Sequence, residues 1–274
     1  MKRVKSLREE FPSLIDRAYE IFKGRRFVED IMSKDVVTIP PEASMAEAAR
    51  VMGAMRIGSL IVEVEGKPEG IVTERDLLSK ILAKGQDPDN VHIREVMSSP
   101  LITIGPAATI KAAAQTMISQ KGRLAVFQRG RLIGVITAAD LIKSLPESPE
   151  TSMTIDGVMT KRVIMVPSST TVTEVTKIMG EERIGSVLVT KRGKPFGIFT
   201  ERDLLTTFLT RGKPLETPVG DAASSPLVTI PLGTSVHQTA LTMALKHIRR
   251  LPVVENDEIV GIVTARDLVE AYAR

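Results

Sequence analysis

Two hydrophobic patterns alternate along this chain, and each predicts a different element. Short apolar runs bounded by turn residues predict buried strands, whereas apolar residues that recur every three or four positions predict amphipathic helices. The first series of predicted elements is a strand at Val36–Ile39, a helix from Ser44 to Met55, strands at Ser59–Val64 and Gly70–Thr73 joined by a turn at Glu65-Gly66-Lys67-Pro68, and a helix from Glu74 to Gly85. The first helix carries its apolar face on Met45, Ala48, Val51, Met52 and Met55.

The same series of strand, helix, strand, strand and helix occurs four times. It closes on a motif, Gly-h-h-Thr-x-x-Asp-Leu (h, apolar), which occupies 70–77, 134–141, 197–204 and 261–268. The motif threonines lie 64, 63 and 64 residues apart, and a fixed period of this kind indicates a repeated supersecondary unit. The predicted repeats are 28–84, 92–145, 155–210 and 219–273.

Alternate repeats resemble each other more than neighbours do. Repeats one and three share Arg-Ile-Gly-Ser, at 56–59 and 183–186, whereas repeats two and four share Ser-Ser-Pro-Leu, at 98–101 and 224–227. The unit that was duplicated is therefore itself a pair. A stretch rich in serine and proline predicts a linker at 146–152, which leaves one pair at 28–145 and the other at 153–274.

Composition narrows the class of protein. Apolar residues make up 43% of the chain and charged residues 26%, as in ordinary soluble globular domains. The chain has no apolar run long enough to cross a membrane, and its N-terminus lacks the apolar core of a secretory signal, so a cytoplasmic location is expected. The absence of cysteine excludes disulfides, thiolate metal sites and cysteine nucleophiles.

The excess of positive charge belongs to residues 1–26. They hold eight Lys or Arg against four Asp or Glu, which accounts for the whole net charge of +4. Apolar residues at helical spacing between 6 and 22 predict a helix that packs on the body or on a second subunit, and we therefore expect a homodimer. An arm for nucleic acid or a membrane is the alternative, although aromatic residues are only 3% and supply no stacking set.

The repeated motif places a threonine at the start of a helix and an aspartate one turn later. A hydroxyl at the N-cap and a carboxylate beside it lie close to unpaired backbone N–H groups and to the positive end of the helix dipole. Helix starts of this kind bind phosphate readily. The same spacing is that of a plain capping box, so helix capping and ligand binding both stay open for the motif.

Further features accompany the motif, namely Val-Thr-Ile strands, an Arg-Arg-Leu-Pro-Val-Val run at 249–254, and an apolar-Met sequence ahead of three repeats. The last of these reads Asp30-Ile31-Met32, Glu95-Val96-Met97 and Gly157-Val158-Met159, and Ala223 takes the place of methionine in the fourth repeat. With these features residues 28–273 resemble the cystathionine-β-synthase (CBS) domain family. The resemblance implies an α/β fold, α+β-like in its layout, of four β-α-β-β-α motifs arranged as two pseudo-twofold Bateman modules.

The resemblance also implies that adenosine nucleotides bind in clefts between paired motifs. The motif residues implied are aspartates for the ribose diol, and threonines and arginines for phosphate: Asp76, Asp140, Asp203 and Asp267; Thr73, Thr137, Thr200 and Thr264; Arg75, Arg202 and Arg266. The resemblance also implies that a first-strand residue of the partner motif contacts the adenine. The implied pairs are Thr103 with Asp76, Thr38 with Asp140, Thr229 with Asp203, and Met165 with Asp267. Met165 departs from the pattern, since the other three are threonines. Further basic residues implied near phosphate are Arg123, Arg249 and Arg250.

These features favour a non-catalytic regulatory protein that senses AMP, ADP or ATP and relays a conformational change to a protein effector. S-adenosylmethionine is the alternative ligand because it shares the adenosine, and a scaffold or nucleic-acid-binding protein acting through 1–26 is the alternative class. The sequence has no P-loop, no Gly-x-Ser-x-Gly elbow and no His/Cys/Asp cluster, so neither catalysis nor a metal is expected. The motifs of Asp76 and Asp203 are expected to bind most strongly, since each combines threonine, arginine and aspartate with a partner threonine.

Overall fold

The computed structural model describes residues 27–144 and 153–274. Within these ranges the chain forms four three-stranded sheets, one in each repeat. This arrangement confirms the predicted α/β class with four β-α-β-β-α motifs. The predicted helix between 6 and 22, the basic residues 1–26 and the linker at 146–152 lie outside the described residues.

The first two repeats contain the following elements. Helices and strands of repeat one are α1 (Val28–Ile31), β1 (Thr38–Ile39), α2 (Met45–Met55), β2 (Ser59–Val64), β3 (Lys67–Thr73) and α3 (Glu74–Asp76), continued by a π-helical turn (Leu77–Ile81) and a 3-10 turn (Leu82–Lys84). Repeat two, after a 3-10 turn at Pro88–Asn90, contains α4 (Ile93–Val96), β4 (Thr103–Ile104), α5 (Ile110–Ser119), β5 (Leu124–Gln128), β6 (Arg131–Ile136) and α6 (Ala138–Ile142).

Repeats three and four follow the same order. Repeat three begins with a 3-10 turn (Ile155–Gly157) and contains β7 (Met165–Pro167), α7 (Val172–Glu181), β8 (Ser186–Lys191), β9 (Lys194–Thr200) and α8 (Glu201–Asp203), continued by a π-helical turn (Leu204–Leu209). Repeat four begins with a 3-10 turn (Val219–Asp221) and contains β10 (Ile230–Pro231), α9 (Val236–Lys246), β11 (Arg250–Glu255), β12 (Glu258–Thr264) and α10 (Ala265–Ala273).

In each sheet the first strand runs parallel to the second, and the third runs antiparallel to the second.

The hairpin turn between the second and third strands is tighter than the predicted four residues, because β3 already begins at Lys67. Both turn residues have positive φ, as a type I′ turn requires, at Glu65-Gly66, Arg129-Gly130, Arg192-Gly193 and Asn256-Asp257. Met55, on the predicted apolar face of the first long helix, is the last residue of α2 and is 52% exposed.

The segment ahead of each first strand, which we name the lead-in, packs on a neighbouring repeat rather than on its own. Ser98, in the lead-in of repeat two, exchanges two backbone hydrogen bonds of 2.9 Å with Ile71 in β3 of repeat one. Equivalent exchanges join Ser33 to Val135, Thr160 to Ile262 and Ser224 to Ile198. The sequence period assigns each lead-in to the repeat that follows it, because a period reports only the order of residues and not their contacts.

The described chain divides into two compact units, each built from alternate repeats. The odd unit consists of 35–101 and 163–228 and holds the sheets of repeats one and three. The even unit consists of the described residues among 1–34, 102–162 and 229–274 and holds the sheets of repeats two and four. These units do not coincide with the predicted modules of adjacent repeats, 28–145 and 153–274, which stay a prediction.

In the odd unit the two repeats exchange leucines. Leu205, from the π-helical turn of repeat three, is buried in the core of repeat one. Leu78, at the equivalent position of repeat one, is buried in the core of repeat three. Each of the two cores is therefore completed by the other repeat, and neither is a closed unit by itself.

Glycines allow the helices of the odd unit to approach closely. A Cβ at Gly180 in α7 would lie 2.1 Å from the Cβ of Ala83, and one at Gly53 in α2 would lie 1.9 Å from Thr210 Oγ1. Both distances are far below van der Waals contact, so a side chain at either position would force the neighbouring repeat away. In the even unit α10 packs on α5 and α6, and Gln115 Nε2 donates to the carbonyl oxygen of Ala273 at 3.2 Å.

Candidate functional site

All four Thr-x-x-Asp motifs form the same local structure. The third strand of each sheet ends at the threonine or, in repeat two, at the residue before it. The threonine backbone is extended, and a helix begins at the next residue. One oxygen of the aspartate, Oδ2, accepts a hydrogen bond from the backbone N–H of the threonine at 2.7–2.9 Å. The same oxygen accepts a second hydrogen bond from the threonine hydroxyl at 2.6–2.8 Å.

These contacts identify the aspartate as a helix-capping residue in every repeat, so the capping interpretation is confirmed. They occupy one oxygen of the carboxylate with two donors. The other oxygen, Oδ1, is the one that a ligand could use. Capping and ligand binding are therefore compatible, and the surroundings of Oδ1 distinguish one motif from the next.

The glycine that opens the motif is explained by the lead-in that packs against it. A Cβ at Gly134 would lie 2.6 Å from Met32 Sδ, and one at Gly261 would lie 2.6 Å from Met159 Sδ. Gly70 faces Met97 in the same way, at 3.0 Å, and Gly197 faces Ala223, at 3.2 Å. The motif glycine and the lead-in methionine are thus contact partners from different repeats, which the sequence pattern alone did not reveal. Each lead-in lies beside the strand that delivers the motif aspartate.

The surroundings of Oδ1 differ among the four aspartates. Lys80 Nζ lies 2.7 Å from Asp76 Oδ1, which forms an ion pair within hydrogen-bond distance. Lys143 Nζ lies 3.7 Å from Asp140 Oδ1, which is an ion pair beyond that distance. For Asp203 the neighbour is a hydroxyl, because Ser224 Oγ donates to its Oδ1 at 3.4 Å.

Asp267 is set apart by its electrostatic surroundings. Burial raises the pKa of its carboxyl above the ordinary value of 3.8, and the negative charge of Glu270 acts in the same direction. The two hydrogen bonds from Thr264 and the positive charge of Arg266 lower the pKa but do not outweigh burial. A carboxylate that is poorly solvated gains more from a donor that a ligand brings than one that water already serves.

Arg75, predicted to meet phosphate, is placed inside the odd unit. Its guanidinium donates to the carbonyl oxygen of Arg183 at 2.8 Å, just after α7 of repeat three. It also forms an ion pair with Glu201, at 3.1 Å from Oε1, and Glu201 is only 4% exposed. Because that oxygen accepts no hydrogen bond of good geometry, the contact is an ion pair rather than an aligned hydrogen bond. The structure thus gives Arg75 a role in holding repeats one and three together.

The other predicted residues are placed as follows. Exposed positions of the first strands hold Thr38, Thr103 and Met165, the last 41% exposed, and Thr229 is exposed directly before β10. Half-buried positions hold Arg123, Arg202, Arg249 and Arg250, each with a partner of its own, whereas Arg266 is exposed. The predicted partnerships of Thr103 with Asp76, Thr38 with Asp140, Thr229 with Asp203 and Met165 with Asp267 join residues of different units and stay predictions.

Among residues 27–144 and 153–274, no group of three or more His, Cys, Asp or Glu side chains is arranged to hold a metal ion. No helix in the same part of the chain is long and apolar enough to span a bilayer.

Comparison with known proteins agrees with this architecture. The family model of the CBS domain matches the chain four times, at 28–83, 93–147, 155–209 and 219–274. The crystal structure of protein MJ1225 from Methanocaldococcus jannaschii, proposed as an archaeal homologue of g-AMPK, has the same fold, with a TM-score of 0.74 at 23% identity over 90% of this chain and 100% of that one.

Two relatives by sequence are matched over 62% of their own length. Uncharacterized protein MJ1404 of Methanocaldococcus jannaschii is 28% identical over 265 residues, which are 90% of this chain and 62% of that protein. Uncharacterized protein MK0525 of Methanopyrus kandleri is 35% identical over 122 residues, which are 43% of this chain and 62% of that protein. Proteins with CBS domains are generally regulatory and not catalytic. With four matches that cover most of its length, the chain belongs to the CBS domain family.

Proposed function

We propose that this protein is a non-catalytic sensor that binds AMP, ADP or ATP through its motif aspartates and relays the binding to a protein effector. The observation that carries the proposal is the carboxylate geometry shared by all four motifs, in which the cap engages Oδ2, so that Oδ1 is the oxygen with which a ligand would bond. Family membership supports a regulatory role, and the ligand is inferred from the chemistry of the motif.

A ribose diol suits a carboxylate held in this way. Two adjacent hydroxyls donate to a single anionic group, and hydrogen bonds to an ion are about twice as strong as those between neutral groups. The cap orients the carboxylate before the ligand arrives, so little rotamer freedom is lost on binding. Asp203 and Asp267 are the best candidates, because a hydroxyl faces Oδ1 of the first and burial raises the pKa of the second.

The contacts of Arg75 favour S-adenosylmethionine as a second candidate ligand. Arg75 is one of the residues expected to bind phosphate. Its guanidinium, however, already pairs with Glu201 and donates to the carbonyl oxygen of Arg183. The phosphate contacts proposed here are therefore Arg249 and Arg250, just before and at the start of β11. The motif threonines already donate their N–H and hydroxyl hydrogens to the aspartate. The homodimer and the role of residues 1–26 stay predictions.

Calorimetric titration of the full chain with AMP, and separately with S-adenosylmethionine, tests the proposal. Replacing Asp203 and Asp267 with asparagine keeps an oxygen for the cap and removes the charge, so affinity should fall by on the order of 1.5–3 kcal/mol per site. Glu258→Gln, an exposed charge removed from β12, is the matched control and should change nothing. Binding of AMP that weakens as salt rises indicates phosphate contacts. If neither ligand binds the wild-type chain, the sensor proposal is wrong.

A further inference from the structure

The aspartate of the first motif forms an ion pair with a lysine of its own repeat. Lys80 lies on the π-helical turn Leu77–Ile81, one turn after Asp76. Its Nζ lies 2.7 Å from Asp76 Oδ1 and also donates to the carbonyl oxygen of Val96 at 2.5 Å. Since the cap occupies Oδ2, both oxygens of Asp76 are engaged within the protein.

We propose that Lys80 closes the Asp76 motif to nucleosides, because its ammonium occupies the carboxylate oxygen that a ribose diol requires. This inference rests on the proposed function. In it, Lys80 is a specificity-determining residue that competes with the ligand. The Asp76 motif accepts a ribose only when the ammonium withdraws, so we expect it to fill after the Asp140 motif, whose lysine lies 3.7 Å from Oδ1.

The surroundings of the pair make it stronger than an ordinary surface ion pair. Exposed pairs contribute roughly 0–1 kcal/mol, because water screens them and two mobile side chains must be ordered. Here the Asp76 side chain is only 11% exposed and the Lys80 side chain 40%. The second acceptor, the carbonyl oxygen of Val96, holds the ammonium in place from the lead-in of repeat two. A ligand must therefore break a fixed, partly desolvated contact and not merely displace water.

The other repeats lack a lysine at this position. The residues equivalent to Lys80 are Ser144, Thr207 and Ala271, none of which is charged. Lys143 reaches Asp140 from the preceding position and lies 3.7 Å away, too far for a hydrogen bond. A lysine at this position is thus particular to repeat one, and Lys143 provides a natural control for a lysine that is near without being bonded. From the sequence, the Asp76 motif is expected to be one of the two that bind a nucleotide most strongly. With Lys80 bonded to its aspartate, we expect it to bind weakly instead.

The test isolates the Asp76 motif in the full chain. The variant Asp140→Asn, Asp203→Asn, Asp267→Asn keeps one motif aspartate, and it is titrated with adenosine and with AMP by calorimetry. Adding Lys80→Met, which keeps the length of the side chain and removes its charge, should tighten adenosine binding by at least about tenfold, because a charge-assisted hydrogen bond no longer has to be broken. In the matched variant that keeps Asp140 instead, Lys143→Met should change adenosine affinity by less than about threefold.

Several outcomes overturn the inference. If Lys80→Met leaves adenosine affinity unchanged, the lysine does not compete; if it weakens AMP, the lysine binds the ligand's phosphate. If the triple variant loses its fold by circular dichroism, Lys80→Met is made alone, and the number of adenosine sites must then rise by one. If the wild-type chain and every variant bind neither probe, the sensor function itself fails and the inference falls with it. Binding by the wild type with no effect of Lys80→Met rejects only the inference.

Discussion

The odd and even units are built from the same repeat, yet their helices pair differently. In the odd unit the helix after each motif widens into a π-helical turn, at Leu77–Ile81 and Leu204–Leu209. In the even unit the corresponding helices, α6 and α10, are regular α-helices. A π-helical turn inside a helix is uncommon and often accompanies a functional contact. Here it delivers Leu78 and Leu205 into the core of the opposite repeat.

A small number of substitutions accompany this difference. Gly53 and Gly180 of the odd unit correspond to Ile118 and Ala244 of the even unit, so only the odd unit lacks a side chain at that point of the helix. Without a Cβ, a helix can approach a neighbour to a distance that any other residue prevents. The glycines therefore explain why the odd repeats interlock closely, and the residues that replace them explain why the even repeats do not copy that contact.

The second difference is a buried acid. Glu74 and Glu201 of the odd unit are each 4% exposed, and the even unit has Ala138 and Ala265 at these positions. A buried carboxylate needs a partner, and Arg75 supplies one to Glu201 from the other repeat. An ion pair of this kind contributes less to stability than to the choice of partner, since an apolar pair of the same shape can be equally stable. The buried glutamate therefore favours the pairing of repeat one with repeat three.

The largest expected effect on stability comes from adding a side chain at Gly180. Gly180→Ala places a methyl group 2.1 Å from the Cβ of Ala83, and overpacking of this severity should destabilise the odd unit by about 3 kcal/mol. In a helix with free space around the glycine, the same change stabilises by about 1 kcal/mol. The sign of the measured change therefore shows whether the close contact exists. Urea unfolding measures the change.

Two further variants check that the clash is the cause. Adding Ala83→Gly to Gly180→Ala removes the opposing methyl group and should recover most of the loss. In the even unit Ala244→Gly should lower stability by about 1 kcal/mol through helix propensity, because no close contact is gained there. Stabilisation by Gly180→Ala would mean that the repeats do not pack as closely as described.

The ion pair of the odd unit should give an intermediate effect. Arg75→Ala leaves the buried carboxylate of Glu201 without this cation, and we expect a loss of about 1–2 kcal/mol in the free energy of unfolding. The matched variant Arg266→Ala removes an exposed arginine from the same motif position in repeat four and should stay within about 0.5 kcal/mol. Equal losses in the two variants would refute the distinct role of Arg75.

The smallest effect is a pH dependence of opposite sign in the two units. Burial raises the pKa of Asp267 in the even unit above 3.8, so the folded state holds this proton more tightly than the unfolded state. Its contribution is therefore fully present below 3.8 and is lost as pH rises through the raised pKa. Asp267→Asn should remove that decline in urea-unfolding experiments between acidic and neutral pH.

Glu174 in the odd unit is the counterpart. The backbone and side-chain hydrogen bonds from Thr171 lower the pKa of Glu174 below 4.5. Its contribution is present above 4.5 and is lost as pH falls through the lowered pKa, which Glu174→Gln should abolish. The prediction is wrong if the two variants change the pH profile in the same direction.

Much of the fold was accessible from the sequence because the determinants are local. Period, hairpins and helix starts follow from residues within a few positions of one another, as the cap between Thr73 and Asp76 shows. The helix end at Gly85 was predicted for the same reason, since a left-handed residue closes it. Strand bounds were less accurate, with β1 reduced to Thr38–Ile39, because pairing with β2 determines where a strand begins.

Only the tertiary structure decided which residues far apart in the chain contact each other. The pattern identified the motif glycines and the lead-in methionines but not that Gly134 contacts Met32. It could not show that the Arg75 guanidinium pairs with Glu201, nor that Lys80 bonds the aspartate of its own motif. A sequence period describes what each repeat can form locally. The choice of contact depends on distances of a few ångströms between separate repeats, and these exist only once the chain has folded.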